Sequence, residues 1–414
     1  MLCGNSKKYA YFIGVLLVVL AILYVYKIND NYKISENMVN ISKINKPSWS
    51  RNKCSYDLTN TIKRVLDDHN IINRDGGNGK IMFPCGYDEI SNELAKFNPK
   101  PNNSYFVVNQ ADELIAKDLL WKHLVAHYGL NKAKTIMPMS YILYDEKDKN
   151  RFDFEYDKHK IYIMKKNIQR QEGLHITTDK NVILKGSADH YVVVQELLQN
   201  PYTIADNLNN QINNRKINMR FYILVICNQN DMDVYVHKNG FMYYTKESFV
   251  KGSLRSESNI TTGYIDRKIY DKSPLTHDDF RTYLDSDRNI TDHERNIKKH
   301  GLILSKVVFE RIYNLLRDVF IAIVGKICTK CKLSDGISFQ LFGADIALDD
   351  KLNPMIMEIN KGPDLGSKDE RDGSVKYKVV SDIFRKIKAI NDNKKNDFKQ
   401  ILEVTNSNIV SLYN

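Results

Sequence analysis

Six cysteines scattered through 414 residues are too few for a disulfide framework. Cys328 and Cys331 form a single CxxC in ICTKCKL. A zinc site would need two further ligands, and a redox motif a thioredoxin-like βαβ setting. Neither accompanies the pair, so the cysteines read as incidental. The GxxxxGK[ST] phosphate loop is also missing: Asn73–Lys80, NRDGGNGK, has the glycines without the pattern and reads as a loop. No internal repeat is present, and no recurring aromatic-basic module marks a nucleic-acid reader.

What is present suits a globular protein of two or three domains, with 43% hydrophobic and 27% charged residues. The net charge of +11 fits nucleic acid, an acidic membrane surface or an anionic small molecule. Lysines are dispersed along the chain, so charge selects none of these.

Tyr9–Tyr26, YAYFIGVLLVVLAILYVY, is free of charge and has tyrosine at both ends, which predicts a single retained membrane anchor. A cleaved signal peptide would have a shorter apolar core and an A-x-A-like site, which KINDNYKIS lacks. Lys7 and Lys8 before the span balance Lys27 and Lys33 after it, so the side of the membrane stays open. Asn40, Asn102, Asn259 and Asn289 stand in N-x-S/T triplets, which matter only inside a secretory lumen. PCGYDEISNELAKF reads as a turn entering a short helix.

From Tyr105 the pattern sharpens. SYFVVNQ reads as a strand and ADELIAKDLLWKHLVAHYG as one helix ending at Gly129. TIMPMSYILY is strand-like, and IYIMKK is a strand that delivers Lys165 and Lys166 to a polar loop containing Gly173. YVVVQELLQNPYTI is an apolar strand broken at Asn200 and Pro201, either a core strand or the flank of a nucleotide base. In KINMRFYILVICNQ, Lys216, Asn218 and Arg220 alternate onto one face of a strand whose continuation is apolar. Two cations beside a buried run are costly unless an anion meets them. DVYVHKNGFMYYT predicts a hairpin about Lys238–Gly240, and SKVVFERIYNLLRDVFIAIVGKI a strong amphipathic helix. The tail from Lys388 reads as a solvated helix or extension.

Phe339–Asn360, FQLFGADIALDDKLNPMIMEIN, reads as two strands joined by the polar turn LDDKLN. Alternation puts Glu358 and Asn360 on one face with Ile356, and Met355, Met357 and Ile359 on the other. Pairing Leu348 with Met355 would set Asp345 opposite Glu358. Three oxygen-bearing side chains on one patch suit magnesium. A hairpin whose polar residues merely face water is the alternative.

In this order the segments resemble the tubulin-tyrosine ligase-like family over roughly Tyr105 to Phe384. The resemblance implies an ATP-grasp fold, two α+β subdomains that clasp ATP. It implies Lys117 and Asp118 as the family's Lys-Asp pair, with Lys117 toward ATP. Lys165 would reach the α and β phosphates, and the backbone of Glu196, Leu197 and Leu198 would line the base with Gln195. KINMRFYILV is similar to the Lys-Phe-Asp-x-Arg strand. GADIALDDKLNPMIMEIN implies Asp345, Glu358 and Asn360 as magnesium ligands. Arg170 and Gly173 match the Arg-Gly-x-Gly-Ile loop, though Gln171 replaces a glycine. Asn218 replaces the family's Asp, Tyr243 its hairpin arginine, and Asn259–Thr262 its His-Leu-Thr-Asn.

The implied chemistry is activation of a carboxylate by ATP and magnesium as an acyl phosphate, then attack by an amino-acid amine. Lys216 and Arg220 are expected to serve the phosphoryl and acyl-phosphate charge. A protein or peptide would be the acceptor, tubulin among the candidates if the body faces the cytosol. Alternatives are a small-molecule or kinase-like ATP-grasp enzyme, a membrane-anchored ATP-binding module without catalysis, and a basic scaffold for an acidic partner. The expected layout is a tail at 1–8, the anchor at 9–26, a linker and N-terminal subdomain at 27–104, the ligase-like domain at 105–385 and a charged extension at 386–414.

Overall fold

A computed structural model describes residues 24–27, 47–51, 54, 57–74, 79–85, 102–168, 173–206, 213–229, 231–329, 336–406 and 408–412. It is a mixed α+β protein built on two sheets. Four short strands open the chain: β1 (Ser48–Arg51), β2 (Ile72–Asn73), β3 (Ile81–Phe83) and β4 (Ser104–Tyr105), paired in parallel. Helix Asn60–Asp68 buries Thr61, Ile62, Val65 and Leu66, one apolar stripe at helical spacing. SYFVVNQ forms a strand only at Ser104–Tyr105; Phe106, Val107 and Val108 are buried beyond it.

The single helix expected over 111–129 is two, Asp112–Ile115 and Lys117–Tyr128. Ala116 is extended, with ψ 124°, and the Lys117 amide donates to Asn167 Oδ1 at 3.1 Å. That amide leaves the helical ladder to hold a distant loop. Gly129 ends the second helix at φ +74°, where a Cβ would be strained.

The smaller sheet contains β5 (Ser140–Ile142), β6 (Tyr162–Lys165), β7 (Leu174–Thr177) and β8 (Val193–Glu196), in the order β5-β8-β6-β7 and antiparallel throughout. Tyr141, Leu143, Phe152, Tyr162, Met164, Ile183 and Val194 form its own core.

The large sheet is centred on β10 (Asn213–Asn228), which follows β9 (Thr203–Asp206). One edge of β10 carries both β11 (Asp231–His237) and β12 (Phe241–Thr245). Ile223 pairs with Val236 and Arg220 with Phe241, so these segments are successive parts of one antiparallel path. The expected hairpin about Lys238–Gly240 is therefore an interruption in a strand, and the antiparallel pairing of β10 with β11 runs to Asn228 opposite Asp231. β13 (Thr261–Thr262) extends β12. The other edge carries β14 (Ile337–Leu348), which pairs with β15 (Pro354–Asn360). Helix Leu304–Ala322 covers the sheet, with Phe309 against Phe221.

Three further expectations need correction. The tail is not a solvated extension: β16 (Phe398–Thr405) pairs with β11 and β17 (Asn408–Leu412) with β16. Phe398, Ile401, Leu402 and Val404 are buried there, so the polar run NDNKKND leads into a core strand. The cysteines are not incidental either: Cys54 pairs with Cys85 and Cys227 with Cys328. Cys331 lies outside the described residues, as does most of PCGYDEISNELAKF.

The membrane anchor is the third. Among the described residues no helix is long and apolar enough to cross a membrane. Of Tyr9–Tyr26 only Tyr24, Val25 and Tyr26 are described, in a short exposed helical stretch, and the remainder of that expectation lies outside the described residues. The expected single-pass membrane localisation is therefore overturned by the described helices.

Candidate functional site

The two sheets meet at the β14–β15 hairpin. Its turn is fixed by Asp349, whose side chain accepts from the amides of Lys351 and Asn353 at 2.9 and 2.7 Å. Leu352 takes φ +60° in the same turn. Pairing starts one residue out of the expected register, with Leu348 opposite Pro354 and Ala347 opposite Met355. A bulge then inserts Met357, and Asp345 still faces Glu358. The bulge also corrects the faces: Ile356 and Ile359 are buried together, while Glu358 and Asn360 are partly exposed.

Arg220, Asp345 and Glu358 thus form one row across β10, β14 and β15. Arg220 donates Nε to Asp345 Oδ1 at 2.5 Å and Nη2 to Oδ2 at 2.8 Å. Asn360 Nδ2 donates to Glu358 Oε1 at 3.2 Å, and Lys117 Nζ lies 3.9 Å from Glu358 Oε2. Burial raises the Asp345 carboxyl to about 6 against the pull of Arg220. For Glu358 burial also favours the neutral form, but Lys117, Lys165 and Arg220 together hold its pKa below the ordinary value. Two adjacent carboxyls with opposite displacements, ringed by cations, make a strongly polarised patch.

Lysines meet this patch from two directions. Lys165, at the end of β6 and 7% exposed, donates to Gln195 Oε1 at 2.7 Å and to the Met357 carbonyl at 3.5 Å. Gln195 is fixed in turn by donating to Ser140 Oγ at 3.0 Å. Lys216, on β10 and 4% exposed, pairs through its backbone with Thr203, and its ammonium makes no ion pair or hydrogen bond with the described residues. Burial lowers both ammonium groups to about 8. A buried lysine without a carboxylate partner is costly until an anion arrives. Asn218 lies between Lys216 and Arg220 on the same face, and its buried Oδ1 has no hydrogen-bond partner among the described residues. Tyr243 on β12 pairs with Asn218 on β10, and the Arg220 guanidinium lies 5.2 Å from its ring centre.

The structure brings Lys117, Lys165, Gln195, Lys216, Arg220, Asp345, Glu358 and Asn360 together. Glu196, also on β8, instead pairs with Lys160 at 2.7 Å. The backbone amides of Glu196 and Leu197 donate to Met139 and Ile161, leaving the Leu198 amide without a partner among the described residues. Gly173 opens β7 at φ +67°, and a Cβ there would lie 2.8 Å from Lys166 Cγ and Ile168 Cδ1. Arg170 lies outside the described residues.

Sequence reasoning missed the residues that brace this cluster. Asn167 accepts from the Lys117 amide and donates to Asp118 Oδ1 at 2.8 Å, while Tyr144 donates to Asp118 Oδ2. Lys361, 4% exposed, pairs with Asp112 at 2.6 Å, and its carbonyl accepts from Gln340 Nε2 at 2.8 Å. Adjacency to Lys165–Lys166 and to Asn360 was the available signal, but the partners are distant in sequence.

A mixed α+β fold with buried cations facing a carboxylate hairpin defines an anion-handling class of site. The family comparison is specific: the model of the tubulin-tyrosine ligase family matches residues 100–397, and the chain belongs to that family. It is 23% identical over 280 residues to the tubulin polyglutamylase TTLL5 of Mus musculus, covering 66% of this chain and 20% of the relative. A probable tubulin polyglutamylase, ttll-9, of Caenorhabditis elegans is 23% identical over 372 residues, covering 84% and 82%. Tubulin glycylase 3B of Drosophila melanogaster is 21% identical over 246 residues, covering 58% and 31%. The chain spans about one fifth of the length of the first curated relatives it matches.

Proposed function

We propose that this chain is an ATP- and magnesium-dependent carboxylate–amine ligase of the ATP-grasp type, acting on a protein or peptide carboxylate. The row Arg220–Asp345–Glu358, flanked by the buried cation Lys216 with no side-chain partner among the described residues, carries the reading. The relatives' names, tubulin polyglutamylase and tubulin glycylase, support a protein acceptor and an amino-acid donor.

The donor set fits magnesium: the Glu358 carboxylate, the Asn360 amide oxygen and Asp345 offer hard oxygen atoms in one patch. Bound there, the ion would neutralise charge on the nucleotide phosphates. Lys165 and Lys216 supply the remaining positive charge and regain full protonation as they do so. Gln195 and the Leu198 amide offer hydrogen-bonding groups to the base, and Lys117 and Gly173 border the phosphate side. Arg170 belongs to this assignment through the family resemblance alone.

In the reaction the acceptor carboxylate attacks the γ-phosphorus, ADP departs, and the amine nitrogen then attacks the acyl carbon. Phosphate leaves and the amine gives up a proton. Arg220, whose Nε and Nη2 are held by Asp345, is assigned to the carboxylate or the acyl phosphate through its remaining guanidinium hydrogens.

A second reading, nucleotide binding without turnover, draws on Asn218 and Tyr243. Asn218 supplies an amide where a carboxylate is expected, and Tyr243 supplies no charge beside Arg220. Magnesium-dependent ATP hydrolysis, measured with a panel of amino acids and a glutamate-rich peptide, separates the two. Turnover stimulated by one amino acid supports the ligase; tight binding without turnover under every pairing supports the second reading.

A further inference from the structure

Four of the six cysteines are paired, and the pairs could not be read from spacing. Cys227 and Cys328 are each 3% exposed and join central strand β10 to a segment 101 residues later. Cys54 and Cys85 join partners 31 residues apart near β1 and β3. Disulfides of this structural kind form and persist in oxidising compartments and are rare where thiols are kept reduced.

The N-x-S/T triplets bear on the same question, and the structure separates them. Asn259 is 2% exposed, and its Nδ2 donates to the carbonyls of Ser253 and Arg255 at 2.8 and 2.9 Å. Its nitrogen is committed inside the fold. Asn289 is exposed between helices His277–Asp285 and Asp292–Lys299, and its side chain has no partner among the described residues. Arg288 anchors the base of its loop by donating Nη1 to Glu294 Oε2 at 3.3 Å and Nη2 to Tyr202 Oη at 3.0 Å. Thr291 accepts from the Glu294 amide at 3.2 Å, so the loop's far end is capped as well. Asn102 is also exposed, at φ +65°, and Asn40 lies outside the described residues.

We propose that Asn289 carries an Asn-linked glycan and that the chain matures in an oxidising compartment where Cys54–Cys85 and Cys227–Cys328 close. Glycan transfer forms a bond from sugar C1 to Asn289 Nδ2 and breaks the C1–oxygen bond to a lipid-linked pyrophosphate donor. The departing pyrophosphate takes one amide proton. In each disulfide, two thiols give up two protons and two electrons to an oxidised dithiol carrier, whose own disulfide is reduced. The inference uses none of the residues of the ligase site, so its test is separate from that of the ligase reading, and an oxidising lumen would remove cytosolic tubulin as the acceptor.

The full chain, purified from the cells that make it, tests both parts. Thiol alkylation with and without reductant, followed by peptide mass mapping, should label Cys54, Cys85, Cys227 and Cys328 only after reduction. Labelling of all four without reductant would overturn the compartment. Treatment with an amidase that converts glycosylated Asn to Asp in heavy-oxygen water should mark Asn289 and leave Asn259 unmarked. An electrophoretic shift on deglycosylation should shrink in Asn289→Gln, which changes only an exposed side chain. An unmarked Asn289, or a marked Asn259, would overturn the modification site whatever the thiols show.

Discussion

Arg220 and Asp345 face each other across β10 and β14 and share two hydrogen bonds of 2.5 and 2.8 Å. Both side chains are nearly buried, at 12% and 11% exposure, so the pair is a desolvated ion pair within the candidate site. Breaking one partner of such a pair leaves an uncompensated charge and costs about 3–5 kcal/mol. Asp345→Asn should therefore lower unfolding free energy by about that amount in denaturant titrations. Arg220→Met with Asp345→Leu should be far less destabilising and still inactive, because it removes both charges together. Equal stability of Asp345→Asn and the native chain would contradict the burial of the pair.

The lysines give a pH signature. Lys216 is lowered from 10.5 to about 8 by burial, so between these values the unfolded chain holds a proton that the folded chain has released. This group therefore makes the ligand-free protein gain stability as pH rises through that window. Bound phosphate favours the charged form, so nucleotide binding near pH 8 should take up protons. Affinity should fall as pH rises further. Calorimetry in buffers of different ionisation enthalpy reads the uptake directly, and Lys216→Met should reduce it; uptake unchanged in the variant would remove Lys216 from the phosphate site.

Deleting β16 and β17 should cost the fold. Phe398, Ile401, Leu402 and Val404 are all buried, and each fully buried apolar side chain contributes roughly 1.5–3 kcal/mol. Their combined loss rivals the whole stability of a typical domain, and β11 would become an open edge. A chain ending before Phe398 should aggregate or elute as an expanded species in size-exclusion chromatography. Native-like elution and melting would show that the tail is dispensable.

Much of the site was legible because strand alternation is a strong signal. Lys216, Asn218 and Arg220 share a face as the period of two requires. Asp345 does oppose Glu358, although by a different route. The assumed register at Leu348 was one residue off, and the bulge at Met357 restored the pairing. A bulge breaks the period that reveals strands, so its position leaves no mark in the pattern. Asn239 and Gly240 are turn residues and so predict a hairpin after His237, whereas here they interrupt one antiparallel path. The tail reads as solvated because its polar run precedes FKQILEVT, whose partner β11 lies far back in the chain. Disulfide pairing depends on three-dimensional proximity that cysteine spacing does not encode.

The central claim is that Glu358, set beside Asp345 and Asn360, belongs to a working phosphoryl-transfer site. The most direct measurement is magnesium-dependent ATP hydrolysis, stimulated by amino acid and glutamate-rich peptide, for the full chain and for Glu358→Gln with its fold checked by circular dichroism. The account predicts at least a hundredfold loss of turnover, in line with the effect of removing a key electrostatic group from a transition-state site. Unchanged turnover in a folded Glu358→Gln protein would contradict it.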